Sequence, residues 1–179
     1  MTNETAVPGG LTFWSFVDHA VRRAQQEVPT VDAGAMRLVL TLHRATSMIV
    51  YDLESTVHRP SGWTWPGFRV LFVLWLAGPM DAKSAAALTG MSRAAVSALV
   101  NTLQKDGLVT RQRADHDRRA VQIGLTEAGR GAIARGFTAH NTRESAWAAA
   151  LSEGERETLV ALLGKLMAGE AAAAAKRRE

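Results

Sequence analysis

DAKSAAALTGMSRAAVSALVNTLQKDGLVTRQRADHDRRAVQIGLT occupies residues 81–126. Asp81 precedes an alanine-rich run and is placed to cap a short helix through Leu88, because its carboxylate accepts from backbone N–H groups that the first turn leaves free. Thr89 and Gly90 turn the chain. Ser92 caps a second helix over about Arg93–Lys105, and Gly107 supplies its C-terminal glycine. Two short extended strips follow, about Val109–Gln112 and Ala120–Leu125. In the second, Val121, Ile123 and Leu125 alternate with polar or small residues, as on a half-buried strand. A polar knot that includes Arg113, Asp115, His116, Asp117, Arg118 and Arg119 joins the strips, and Thr126 caps the next helix. A short helix, a tight turn, a second helix and a hairpin, in that order, make a winged helix-turn-helix.

The second helix has two unlike faces. Val96, Leu99, Val100 and Leu103 share one and must point inward. The other carries Ala94, Ala95, Ser97, Ala98, Asn101, Thr102 and Lys105, with Ser92 and Arg93 at its start. Exposed helices commonly carry Glu–Lys pairs, and this face has no acid. Small residues permit close approach to a major groove, and hydroxyl and amide groups match base edges and phosphates. The free N–H groups behind Ser92 suit a phosphate. Double-stranded DNA is therefore the expected partner. On this reading the strips are the strands of a wing and the knot is its tip. An arginine there can enter a minor groove, where the potential is most negative. Asp117 stands two residues before Arg119 and is expected to orient its guanidinium by a charge-assisted bond. Arg113 and Arg118 are expected on phosphates, with Arg111 in the same DNA-facing set.

Charge distribution agrees. Between Met91 and Arg130 seven bases stand against four acids, so three of the four net positive charges of the 179-residue chain lie there. A local excess of this kind suits a polyanion. The chain has no cysteine, which excludes disulfides, thiolate metal sites and cysteine redox sensing. The N-terminal residues lack the basic and apolar regions of a signal peptide. The longest apolar run, VLFVLWLAG at 70–78, is about half of a membrane span. A cytoplasmic protein without a membrane partner is expected.

Helices flank this lobe. Residues 11–28 read as one, with Phe13, Phe16, Val17, Ala20 and Val21 on a face, ended by Pro29. A long helix is expected from about Asp32 to His58, roughly 40 Å at 1.5 Å per residue. In it Val39, Leu42, Thr46, Ile49, Leu53 and Val57 recur near a 3.5 spacing, which suits a partner helix and hence a dimer; an ordinary core helix is the alternative. Thr64 caps a helix with Pro66 in its first turn, and Phe68, Leu71, Phe72, Trp75 and Leu76 make it a buried one. After Thr126 a helix reaches about Ala150, and Ser152 and Glu155 form a capping box for the last. The expected organisation is residues 1–62 as lead and dimerisation helices, 63–126 as DNA-binding lobe and 127–179 as further dimerisation helices and tail. The fold class is mainly α, with a small β-hairpin wing.

The stretch MSRAAVSALVNTLQKDGLVTRQRADHDRRAVQIGLTEAGR, residues 91–130, resembles the MarR family of bacterial transcription regulators. It follows that family's pattern of a recognition helix ending in L-x-x-x-G-L-V-x-R, a D-x-R wing and L-T-x-x-G. The resemblance implies a homodimer with interlocked terminal helices. It implies binding to palindromic operators, usually as a repressor, and release by a small, often phenolic ligand held between the dimerisation helices and the DNA lobe. Many members carry an arginine in the middle of the recognition helix where this chain has Ala98; either Arg93 substitutes from the first turn or base reading is weaker here.

Other chemistry finds little support. The histidines at 19, 43, 58, 116 and 140 show no i, i+4 pairing and no clustering with carboxylates on one helix face, and no metal is expected. There is no phosphate-binding glycine loop and no nucleophile elbow, so neither a cofactor nor enzymatic activity is expected. Asp52 and Glu54 read as surface groups. His43, Tyr51, Trp63, Trp65, Arg69 and Trp75 are candidates to line a pocket for a small aromatic effector, the alternative being core tryptophans and surface polar groups. The rival to DNA binding is a winged-helix module that binds protein; the acid-free face and the D-x-R pair argue against it.

Overall fold

The structure is a computed structural model that describes residues 10, 12–114 and 117–176; the side chains at 13, 14, 113–120 and 176 lie outside that description. The chain forms two compact units, Met1–Tyr51 and Asp52–Glu179. The first contains α1 (Phe13–Glu27) and most of α2 (Ala33–Leu53). Thr12 and Ser15 form a capping box at the start of α1, and Arg37 of α2 pairs with Asp18 of α1. Leu38, Val39 and Tyr51 of α2 are exposed.

The second unit carries the winged lobe. A π-helical turn at Glu54–His58 follows α2, then come α3 (Trp65–Ala77), α4 (Ala82–Thr89), α5 (Arg93–Lys105), β1 (Val109–Ala114), β2 (Asp117–Leu125), α6 (Glu127–Ala148), α7 (Glu153–Met167) and α8 (Glu170–Lys176). The expected regular helix to His58 is corrected here: its last turn is widened, with the Arg59 N–H donating to the Glu54 carbonyl at 2.9 Å. The wider turn buries Val57 and His58 together.

Thr64, Asp81, Ser92 and Thr126 each cap the helix that follows, through a side-chain oxygen that accepts a backbone N–H. Gly90, between α4 and α5, has φ +64°, a left-handed conformation that glycine adopts without steric cost. Phe68, Leu71 and Leu74 of α3, Ala85 and Ala86 of α4, and Val96, Val100 and Leu103 of α5 form one core with Val109, Ile123 and Ile133.

The strands pair antiparallel, Val109 opposite Leu125 and Arg111 opposite Ile123, with a shift in register between Arg113 and Ala114. Both are longer than expected, because pairing continues into the polar knot. Met80, in the link from α3 to α4, exchanges backbone hydrogen bonds with Ile123 at 2.8 and 3.0 Å and so fastens β2 to the helices. Among the described residues no helix is long and apolar enough to cross a membrane.

Candidate nucleic-acid interface

Burial divides α5 in two. Val96 and Val100 are fully enclosed and Leu103 nearly so. Ser92, Arg93, Ala94, Ala95, Ser97, Ala98, Asn101, Thr102 and Lys105 are all exposed. Ser92 accepts from the Ala95 N–H at 3.2 Å, which orders the first turn and leaves the remaining N–H groups there facing outward. The exposed face is cationic at both ends, with Arg93 and Lys105, and carries only small or neutral polar residues between them.

Arg111 projects from β1 toward this helix. Val109 and Arg111 are two apart on the strand and so share a face; Val109 is buried in the core, and the Arg111 guanidinium passes over α5. Its Nη1 donates to Gln104 Oε1 at 2.6 Å and its Nη2 to Asn101 Oδ1 at 2.7 Å. Gln104 was not among the sequence candidates. The signal was present in the alternation of Val109 and Arg111, but the reach of the guanidinium depends on how the hairpin packs on α5. Arg113, Asp117, Arg118 and Arg119 have backbones on β1 and β2, while their side chains lie outside the described part, as do Asp115 and His116 altogether.

The wing is anchored at its base. Thr126 donates its hydroxyl to the Gly107 carbonyl at 2.7 Å and its backbone N–H to Leu108 at 3.0 Å, while accepting from Gly129 N–H at 3.0 Å. One residue thus caps α6 and ties it to the α5–β1 link.

The aromatic candidates divide. Trp65 lies in a ring cluster with His58, Phe68 and His140, with ring centroids 4.2 Å apart for His58 and Phe68 and 5.2 Å for His58 and His140. Trp75 packs on Phe72 and Phe137, farther along the same helix, and those two rings touch Phe68 and His140 of the first group. Trp63 is buried against Gly136. Arg69 turns elsewhere: its Nη2 lies 3.5 Å from where a Cβ on Gly90 would stand, beside the α4–α5 turn. His43 and Tyr51 belong to the first unit and are exposed.

The histidines need a correction. His140 pairs with Glu144 one turn on, at 2.9 Å, and its ring faces His58. Among the described residues neither ring nitrogen of His58 has a partner, nor does Nδ1 of His140. Burial and the neighbouring His140 push the His58 pKa down from 6.5 to about 4, so it is neutral at physiological pH. Among the described residues no three histidine or carboxylate side chains gather as metal ligands do. Asp52 is also no free surface group: it accepts from Arg143 Nε at 2.5 Å, Arg143 Nη2 at 2.9 Å and Trp147 Nε1 at 2.7 Å.

Comparison with known proteins agrees with this geometry. A sequence model described as MarR family matches residues 61–120. The chain is 26% identical over 142 residues to the uncharacterised HTH-type transcriptional regulator YwaE of Bacillus subtilis, covering 79% of this chain and 83% of that one. It is 28% identical over 131 residues to the HTH-type transcriptional regulator MgrA of Staphylococcus aureus, covering 73% and 88%. Among solved structures, the transcriptional repressor CouR bound to a 23-mer DNA duplex is 30% identical, with a TM-score of 0.66, 72% of this chain covered and 91% of that chain.

Proposed function

Because this chain belongs to the MarR family of transcriptional regulators and is not an enzyme, we propose that it acts as a homodimeric repressor on a palindromic operator. The single observation that carries this reading is the exposed, acid-free face of α5, with Arg93 and Lys105 at its ends and Arg111 beside it. Small side chains let the helix seat in a major groove, and the wing adds arginines beyond it. CouR, the DNA-bound relative, is described as a repressor, which supports the same sign of regulation here. Operator DNA sets the cytoplasm as the place of action.

A dimer is supported by α7, where Leu159, Leu162, Leu163 and Leu166 fall on one face and are all exposed. A second copy of the chain is the natural cover for such a stripe, and two-fold symmetry matches a palindrome. The effector we propose is an aromatic carboxylate or phenol held near the rings of α3, with Trp65 and Trp75 as walls. Such a ligand releases DNA only by binding the DNA-free conformation more tightly.

The test is fluorescence anisotropy of the protein with labelled DNA from its own upstream region, against random DNA, at two salt concentrations. Preferential binding of the upstream DNA is expected, falling steeply as salt rises. Equal and weak binding to both would refute a sequence-specific regulator. For the effector, a panel of aromatic acids and phenols should contain a member that raises Tm and lowers anisotropy; a panel without effect on either removes that part of the proposal.

A further inference from the structure

Asparagine and glutamine carboxamides carry an acceptor at one end and a donor at the other, and free rotation lets either end face a base. On α5 that freedom is gone. The Arg111 guanidinium holds the oxygens of both Asn101 and Gln104, at 2.7 and 2.6 Å. Both bonds are charge-assisted and short. With its oxygen drawn toward β1, Asn101 turns its NH₂ group away from the strand. Asn101 lies on the exposed face of α5, one turn beyond Ser97 and Ala98.

The consequence is a change of code. A free asparagine reads adenine with both ends, accepting from N6–H and donating to N7. An asparagine whose oxygen is occupied by a cation offers its two N–H donors. In the major groove guanine presents two adjacent acceptors, O6 and N7, whereas adenine presents one acceptor beside a donor. The Asn101 oxygen keeps a second lone pair, but the guanidinium draws it toward β1, so the adenine amino group would meet the NH₂ donors instead. We propose that Arg111 is a specificity-determining residue that acts through Asn101: by fixing the amide oxygen it makes Asn101 a donor that selects guanine over adenine at the base pair it faces. This rests on the reading of α5 as the recognition helix. It also gives Arg111 a role distinct from a phosphate contact, which would strengthen binding to every sequence alike.

The experiment is selection of binding sites from a randomised DNA pool by the full chain and by four variants: Arg111→Met, Arg111→Lys, Asn101→Ala and the double variant Asn101→Ala with Arg111→Met. Circular dichroism confirms that each is folded. The wild type is expected to enrich guanine at one position of each half-site. Its preference over adenine should be roughly five- to hundredfold, the range of one good base contact. Arg111→Met should lose that preference or turn it toward adenine, with the other positions of the site unchanged. Arg111→Lys keeps the charge but lacks the planar fork that holds two amide oxygens in one fixed geometry, and should behave the same way. Asn101→Ala should abolish selection at that position and make Arg111→Met silent there. If both Arg111 variants retain the guanine, or if they weaken all sequences equally, Arg111 is a structural or phosphate-binding residue and the inference is overturned. If the wild type enriches no sequence at all, the recognition-helix reading falls and takes this inference with it.

Discussion

A methyl group on Gly129 would stand 1.9 Å from the carbonyl oxygen of Leu108, an atom that already accepts from Thr126. Backbone cannot rotate out of the way, so Gly129→Ala should cost about 2 kcal/mol or more and lower Tm by several degrees. At Gly136 the added Cβ would meet Trp63 Cζ3 at 2.6 Å, but that neighbour is a side chain. The ring has room to tilt only within a packed core, so Gly136→Ala should cost less, about 1–2 kcal/mol. Differential scanning calorimetry of the two variants checks the order, and the reverse order would mean that the wing base yields more readily than the core. His58 makes a pH prediction. Its folded pKa, about 4, is below the unfolded 6.5, so below pH 6.5 the unfolded chain takes up a proton that the folded chain refuses. Its contribution to stability is therefore intact above pH 6.5 and lost as pH falls toward 4, by up to about 3 kcal/mol. His58→Phe keeps a ring against Phe68 and Trp65 without the unpartnered nitrogens, and should flatten the fall of Tm between pH 7 and 5. A fall as steep as the wild type's would assign the acid sensitivity to other groups. At the wing tip, Asp117→Ala removes an acid from a protein that faces a polyanion, so simple attraction predicts tighter binding. Orientation of Arg119 predicts weaker operator binding, and weaker is expected. Anisotropy on operator DNA decides, with tighter binding refuting the orienting role.

The helices owe their arrangement to a few ties that cross between them. Asp52 precedes the π-helical turn, and its bonds to Arg143 and Trp147 join this end of the long helix to α6. Arg143 is the first cause that holds the Asp52 carboxyl below its ordinary pKa, so the tie is present at neutral pH and is lost on strong acidification. The Asp52 side chain is only 16% exposed, while that of Arg143 is 45% exposed, which screens the pair in part. Asp52→Asn keeps the shape but gives up the charge and one acceptor. A loss of about 1 kcal/mol is expected, with the emission of Trp147 changing at lower denaturant than global unfolding. No change in either would show that the packing of Leu53 and Val57 suffices. The π turn itself follows from competing demands: Leu53, Val57 and His58 are all buried, and a regular turn would rotate one of the last two toward solvent.

Assembly follows from what the single chain leaves uncovered. No residue of α7 is buried, and Val160 and Leu162 are 69% and 59% exposed. An apolar stripe of this length is a poor surface for a lone chain in water. Light scattering at micromolar concentration should give about twice the 19.3 kDa chain mass. Leu162→Glu combined with Leu166→Glu should halve that mass and, by uncoupling the two half-sites, reduce operator affinity by at least tenfold. A monomeric wild type would remove the dimer and the palindrome together.

The caps at Thr64, Asp81, Ser92 and Thr126, the order of helices and hairpin, and the inward face of α5 were all legible in the chain, because each depends on residues three or four apart or on a repeating angle. The acid-free face of α5 was legible for the same reason. Other features needed the fold. The exchange between Met80 and Ile123, the bonds from Arg143 to Asp52, and the meeting of His58 with His140 join residues far apart in sequence. Periodicity states which way a side chain points and not what it meets. Arg111 shows the difference most plainly: its strand and its face could be read from the alternation with Val109, but its hold on Asn101 and Gln104 exists only because the hairpin packs against α5.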